Sequence, residues 1–154
     1  MQLSILELNL PWKERIALLA YRFLQLEQTE SPVEHEWKDG KYFRTMRIPK
    51  DTLFIGRAHR HGHEVQLLSG TVELITEHGR QIRESPDAMI TVPGFHTVFR
   101  TLSDVVGRTV HPDNGERSVE ILEAQIFEPV EELRSLGESI HQRLICQESQ
   151  PQLA

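Results

Sequence analysis

The sequence predicts an all-β domain, a barrel or sandwich, with an α-helix at each end of the chain. Three observations predict it. Between about Val33 and Phe127, short apolar runs are broken by turn residues every eight to twelve positions, and no strand–helix alternation interrupts them. Before that stretch and after Pro129, apolar residues fall at helical spacing instead. The length of 154 residues, 38% hydrophobic and 26% charged, suits one globular domain that buries its own core.

From Pro11 to about Gln28, Ile16, Leu19, Phe23 and Leu26 recur on one helical face, widened by Leu10, Leu18, Ala20 and Leu24. Asn9 is placed to cap this helix, and Pro11 suits its first turn because proline's missing N–H is unneeded there. Such a helix packs on its own barrel or docks on a partner. The strands come next along the chain. Trp37 to Phe43 reads as strand, Asp39-Gly40 turn, strand, and Pro49 ends the strand that carries Met46 and Ile48. Leu53 to Gly56 is the next apolar run. His63 to Leu68, a Ser69-Gly70 turn and Thr71 to Thr76 read as a hairpin, with a further turn at His78-Gly79. Strands are expected at Met89 to Val92, Thr97 to Thr101, Val105 to Val110 and Val119 to Phe127. After Pro129, the residues Val130, Leu133, Leu136, Ile140, Leu144 and Ile145 predict a second helix, with Gly137 a weak point inside it and a frayed tail from about Gln147 to Ala154. The organisation expected is a helix over 1–30, a β-domain over 31–128, and a helix and tail over 129–154. Two amphipathic helices beside a barrel suit self-association, so a homo-oligomer is expected.

Composition narrows the function. A net charge of −6 weighs against binding nucleic-acid phosphates. Cys146 is the single cysteine, so folding needs no oxidising compartment. No apolar run is long enough to span a membrane, and Glu7 lies early in a segment without a basic start, so a secretory signal is not expected. Cytoplasmic synthesis is the expectation. Nucleophilic catalysis has little to build on: Ser69 sits in a turn outside any Gly-x-Ser-x-Gly elbow, Cys146 lies late in a helix, and no glycine loop cradles phosphate.

The chemistry concentrates between Gly56 and Gly70, where His59, His61 and His63 alternate. In an extended chain, side chains two apart share a face, so the three imidazoles are candidates to converge on one divalent metal ion. His63 should share the inward face with Val65 and Leu67, leaving Glu64, Gln66 and Leu68 on the other. His111, before Pro112 at a strand end, is either a further inward ligand or a donor to the backbone. His96, beside Gly94, is a further candidate. His35, His78 and His141 read as surface residues. Arg57, Arg60 and Arg100 are either anion contacts or solvated strand arginines.

A glycine, a histidine-rich turn, an apolar strand ending in Leu68-Ser69-Gly70, and then Val92-Pro93-Gly94-Phe95-His96 together resemble the two motifs of cupins. His63 stands where the first motif places glutamate or glutamine. Thr97 stands where the second places histidine, with His96 one residue short. The chain is more closely similar to small cupin-like proteins of tailed phages and prophages over roughly Phe23 to Phe127. Ser31-Pro32-Val33-Glu34-His35, Gly40-Lys41-Tyr42, Arg47-Ile48-Pro49, Gly56 with His59 and His63, Leu68-Ser69, Pro93-Gly94 and Thr109-Val110-His111-Pro112 carry that resemblance. It implies a single cupin-like β-barrel, a jelly roll, flanked by the two helices. It also implies that His59, His63 and His111 are the group's recurring histidines, more than His61 and His96. Three functions stand as expectations. The first is a non-enzymatic virion component or accessory protein, assembling with copies of itself or with other phage structural proteins. The second is a metal-dependent cupin enzyme, an oxygenase or isomerase of a small acid. The third is a ligand-binding cupin without turnover.

Overall fold

Alternation decides the middle of the chain. From Tyr42 to Ile48, every second side chain (Tyr42, Arg44, Met46, Ile48) turns to one face, and the same two-residue period recurs in strand after strand. In the computed structural model, which describes residues 2–94 and 96–148, the described residues form nine strands. These are β1 (Val33–Lys38), β2 (Lys41–Ile48), β3 (Leu53–Ile55), β4 (Glu64–Ser69), β5 (Thr71–Thr76), β6 (Gly79–Glu84), β7 (Asp87–Ile90), β8 (Val98–Thr101) and β9 (Val105–Pro112). A short 3-10 segment, Gln2–Glu7, and the helices α1 (Trp12–Phe23), α2 (Val119–Ile126) and α3 (Glu131–Glu148) complete the elements.

The strands make two antiparallel sheets, ordered β1-β2-β9-β4-β7 and β3-β8-β5-β6. Counted from β2, one sheet carries the first, eighth, third and sixth strands, and the other the second, seventh, fourth and fifth. That interleaving is the jelly roll, in which a folded-over hairpin is shared out between two facing layers. The expected closed barrel is corrected: among the described residues no ladder joins the sheets, so β1 and β7 edge one layer and β3 and β6 the other. Facing sheets still bury the inner side chains, which is what the alternation demanded.

Other expectations are corrected as well. Ser69-Gly70 does not close a hairpin, because β4 pairs with β7 and β9 while β5 pairs with β6 and β8. Gly70, at φ +94°, turns the chain from one sheet into the other. The strand expected at Val119 to Phe127 is helix α2. Ser118 caps it, its hydroxyl accepting from the Ile121 N–H, and Leu122 is its buried side chain. Strand β6 was not anticipated, because Arg80, Gln81, Arg83 and Glu84 hide it among polar residues. The Asp39-Gly40 turn is as expected: both residues have positive φ, at 54° and 74°, and join β1 to β2 in a tight hairpin.

The chain's ends, up to Gln28 and from Pro129, form one compact unit, and Thr29–Glu128 forms another. In the first, α1 packs on α3. Helix α1 begins after Pro11 with no side-chain cap, so Asn9 is not its cap, and it stops at Phe23. The Gln28 amide donates to the Phe23 and Leu26 carbonyls beyond that end. Ile16 and Leu19 are buried as the stripe predicts, whereas Leu24 and Leu26 are about half exposed. Gly137 is the crossing point rather than a weak point, since a Cβ there would lie 2.2 Å from the Ala17 carbonyl oxygen. Helix α3 includes Gln147 and Glu148, so the expected fray does not begin there, and the rest of the expected tail lies outside the described residues.

Candidate functional site

In the unit Thr29–Glu128, a cavity of about 340 Å³ lies between the two sheets. Its wall is set by the inward phase of each strand: Met46 and Ile48 from β2, Val65 and Leu67 from β4, Leu74 from β5, Phe99 from β8. His63 shares the inward side with Val65 and Leu67, as expected. Gln66 also reaches the cavity wall, where it accepts from Arg108 Nε and donates to Glu64. The strand carries a register shift between Leu67 and Ser69.

One end of the cavity is polar, and α2 helps to build it. The loop before β4 is tied to the helix's exit: His59 bridges Phe127, the Glu128 N–H donates to the Ala58 carbonyl at 2.9 Å, and the Arg60 N–H donates to Ile126. Arg60 Nε also donates to the Phe127 and Ala124 carbonyls, satisfying carbonyls that a helix end leaves open. Arg60 is therefore an anchor of α2. Arg100 pairs with Glu73, leaving Arg57 as the only one of the three anticipated arginines on the cavity wall.

His59, His63 and His111 gather at this end. Ring centroids are 3.5 Å apart for His59 and His63, 5.2 Å for His63 and His111, and 5.7 Å for His59 and His111, all stacked. His61 is exposed, because residues 56–63 are loop and the two-residue period of a strand does not hold across them. His96 is half-buried just before Thr97, which lines the cavity. His78 is exposed, as expected. His35 is half-buried on the edge strand β1, where it stacks on Tyr42 and shares a 2.6 Å hydrogen bond with its hydroxyl. His141 is half-buried against Tyr21.

A backbone carbonyl fixes the tautomer of His59. His59 Nδ1–H donates to the Arg57 carbonyl at 3.1 Å. His63 Nδ1 shares a 2.7 Å hydrogen bond with the Thr91 hydroxyl, which also accepts from the His63 N–H at 3.4 Å. The Nε2 atoms of both rings are buried and without a hydrogen-bond partner. Burial first, and then His63 and His111, push His59 down to about 3. Burial, followed by His63 and Arg44, pushes His111 to about 4, and burial lowers His63 as well. The cluster is neutral at neutral pH.

Among the described residues, no group of three or more His, Cys, Asp or Glu has the geometry to hold a metal ion. The cause is the stacking. Imidazoles that share an ion aim nitrogen edges at it, whereas His59 and His63 face each other at an interplanar angle of 27°. These residues do not fit a three-ligand centre.

Sequence reading missed Arg44, Thr91 and Phe127. Arg44 is buried on the inward face of β2, pairs with Glu123 of α2 at 3.2 Å, and lies over the Phe127 ring. Its signal was present, as a lone cation in phase with Tyr42, Met46 and Ile48. Phe127 had no local signal, because its role depends on the docking of α2.

No family model and no curated protein matches the chain. Solved structures with a similar fold include a cupin-2 domain protein of Shewanella frigidimarina (9% identity, 59% of this chain and 88% of that one, TM-score 0.43). A cupin domain of Bordetella pertussis matches at 14% identity over 56% of this chain and 97% of that one, with a TM-score of 0.43. The EutQ protein of Clostridium difficile matches at 13% identity over 55% and 69%, with a TM-score of 0.44. Likenesses this distant say nothing about what the cavity binds. The jelly-roll assignment rests on this chain's own strand order.

Proposed function

We propose that this chain is a cupin-like binding module that holds a small, largely apolar molecule between its sheets, with no turnover invoked. The observation that carries this reading is the cavity of about 340 Å³, apolar along the strands and polar at the α2 end. A concave apolar space with a few convergent polar groups is the usual form of a small-molecule site. The buried Nε2 atoms of His59 and His63, without a hydrogen-bond partner, add to the polar character of that end.

The test uses N-phenyl-1-naphthylamine, a neutral apolar fluorophore. It should bind saturably, at about one molecule per chain. Val72→Trp, which fills the cavity from β5, should abolish the signal while leaving the circular dichroism intact. No saturable binding to the native chain, or equal binding to both proteins, rejects the proposal. Metal analysis of the same preparation would return the metal-dependent alternative to the foreground if it found about one tightly held transition metal per chain.

A second reading, assembly with copies of this chain in the phage-type role the sequence resemblance implies, is favoured by the β7 edge. There Ile90 is 72% exposed and Val92 just beyond it is 61% exposed, and an apolar edge strand is a pairing site unless covered. Light scattering on the native chain should then give a closed oligomer, and Ile90→Lys should shift it toward monomer. A monomeric native chain at high concentration removes this reading.

A further inference from the structure

The chain as a whole is acidic, at −6, yet its cavity wall is not. Four arginines line it, Arg44, Arg57, Arg83 and Arg108, against a single carboxylate, Asp87, which is already hydrogen-bonded to Arg83. Two of these cations lie together at the α2 end. The Arg44 and Arg57 guanidinium carbons sit 4.6 and 4.1 Å from the centroid of the one Phe127 ring. The Arg44 side chain is 9% exposed and meets one carboxylate, Glu123, through Nη2. Its Nε is buried with no hydrogen-bond partner, on a residue that lines the cavity. Among the described residues, no carboxylate lies within ion-pair distance of Arg57. Holding two like charges on one ring, one of them desolvated, costs free energy that a third group of opposite sign would recover.

We infer that the α2 end of the cavity is an anion subsite, in which Arg44 and Arg57 hold the carboxylate of a ligand whose apolar body fills the space between the sheets. The ligand class is an amphiphilic monocarboxylate. The inference rests on the binding reading above and adds the chemistry of the ligand's head. Both guanidiniums rest on the Phe127 ring, and a guanidinium offers several N–H donors to a carboxylate oxygen. His59 and His63, neutral, contribute no charge to this end and leave the anion to the arginines. The walls of Met46, Val65, Leu74 and Phe99 keep water from the tail. They also leave the local dielectric low, so the charge difference at the head decides affinity.

The experiment displaces N-phenyl-1-naphthylamine with octanoate and with 1-octanol, two ligands that share a tail and differ in the head. Octanoate should displace the probe at roughly one-tenth the concentration that 1-octanol needs, and added salt should narrow the gap. Arg57→Gln, at an exposed residue, should bring the octanoate-to-octanol preference down severalfold while leaving the circular dichroism unchanged. Glu123→Gln, which releases Arg44 from its carboxylate partner, should raise it. Equal displacement by the two ligands in the native chain, with the probe binding saturably, overturns the anion subsite and leaves the cavity reading standing. A preference that neither substitution moves overturns it as well. Failure of the probe to bind at all overturns both.

Discussion

Gly70→Ala is expected to break the joint between the two sheets and cost on the order of 4 kcal/mol, a large share of a domain's stability. The residue links Ser69, the last of β4, to Thr71, the first of β5, across two layers. Its φ of +94° is a conformation that a side chain resists at roughly 1–2 kcal/mol. The larger part is steric. A Cβ would stand 2.3 Å from the Asp104 carbonyl oxygen and 2.9 Å from Ser103 Oγ and Val105 Cγ2. Backbone cannot swing aside as a side-chain end can, and the same corner carries the Thr71 N–H to Ser103 Oγ and the Leu102 N–H to the Thr71 carbonyl. Urea unfolding followed by far-ultraviolet circular dichroism tests this. A midpoint within error of the native chain would show that the corner is not strained as described. Gly79→Ala is the matched control, because nothing lies within 4 Å of a Cβ there although its φ is also positive, at 129°.

Acid should loosen the polar end of the cavity before it affects the carboxylates. An unfolded histidine takes its proton near 6.5, while the folded chain withholds one from His59 until about 3 and from His111 until about 4. Between those values the unfolded state binds more protons, so stability falls as pH falls. The contribution is fully present above 6.5, and its loss runs down toward pH 4 and then 3. Over the step from pH 7 to 5 alone, the expected loss is on the order of 2–3 kcal/mol, allowing for the coupling of the stacked rings. Denaturant midpoints at the two pH values measure it. The double substitution His59→Gln with His111→Gln should flatten the dependence over that interval. An equal slope in the native and doubly substituted chains would place its origin elsewhere.

The two expectations draw on different kinds of information. Most of the strands, the Asp39-Gly40 hairpin, a turn at Gly70 and both terminal helices were legible in the order of residues, because period, turn chemistry and proline placement act over a few positions. His63 was readable as inward for the same reason, from its phase with Val65 and Leu67. What β4 pairs with, whether the layers close, and what covers the open end were not legible. Each depends on contacts between residues far apart in the chain, and the identical alternating pattern suits a hairpin or a sheet-to-sheet corner. Val119–Ile126 misled because a short apolar run reads as strand or helix until Ser118 is seen capping it.

The site divides along the same line. Residue order alone dictated that histidines would crowd between Gly56 and Gly70 and that an inward-phased strand would come after them. It took the folded chain to bring His111 from β9 beside His59 and His63, to leave His61 in solvent, and to set Arg44 and Arg57 on the ring of Phe127. Local sterics choose a residue's backbone conformation, but the burial that neutralises an imidazole or strips a guanidinium of water comes from partners supplied by distant strands and by α2.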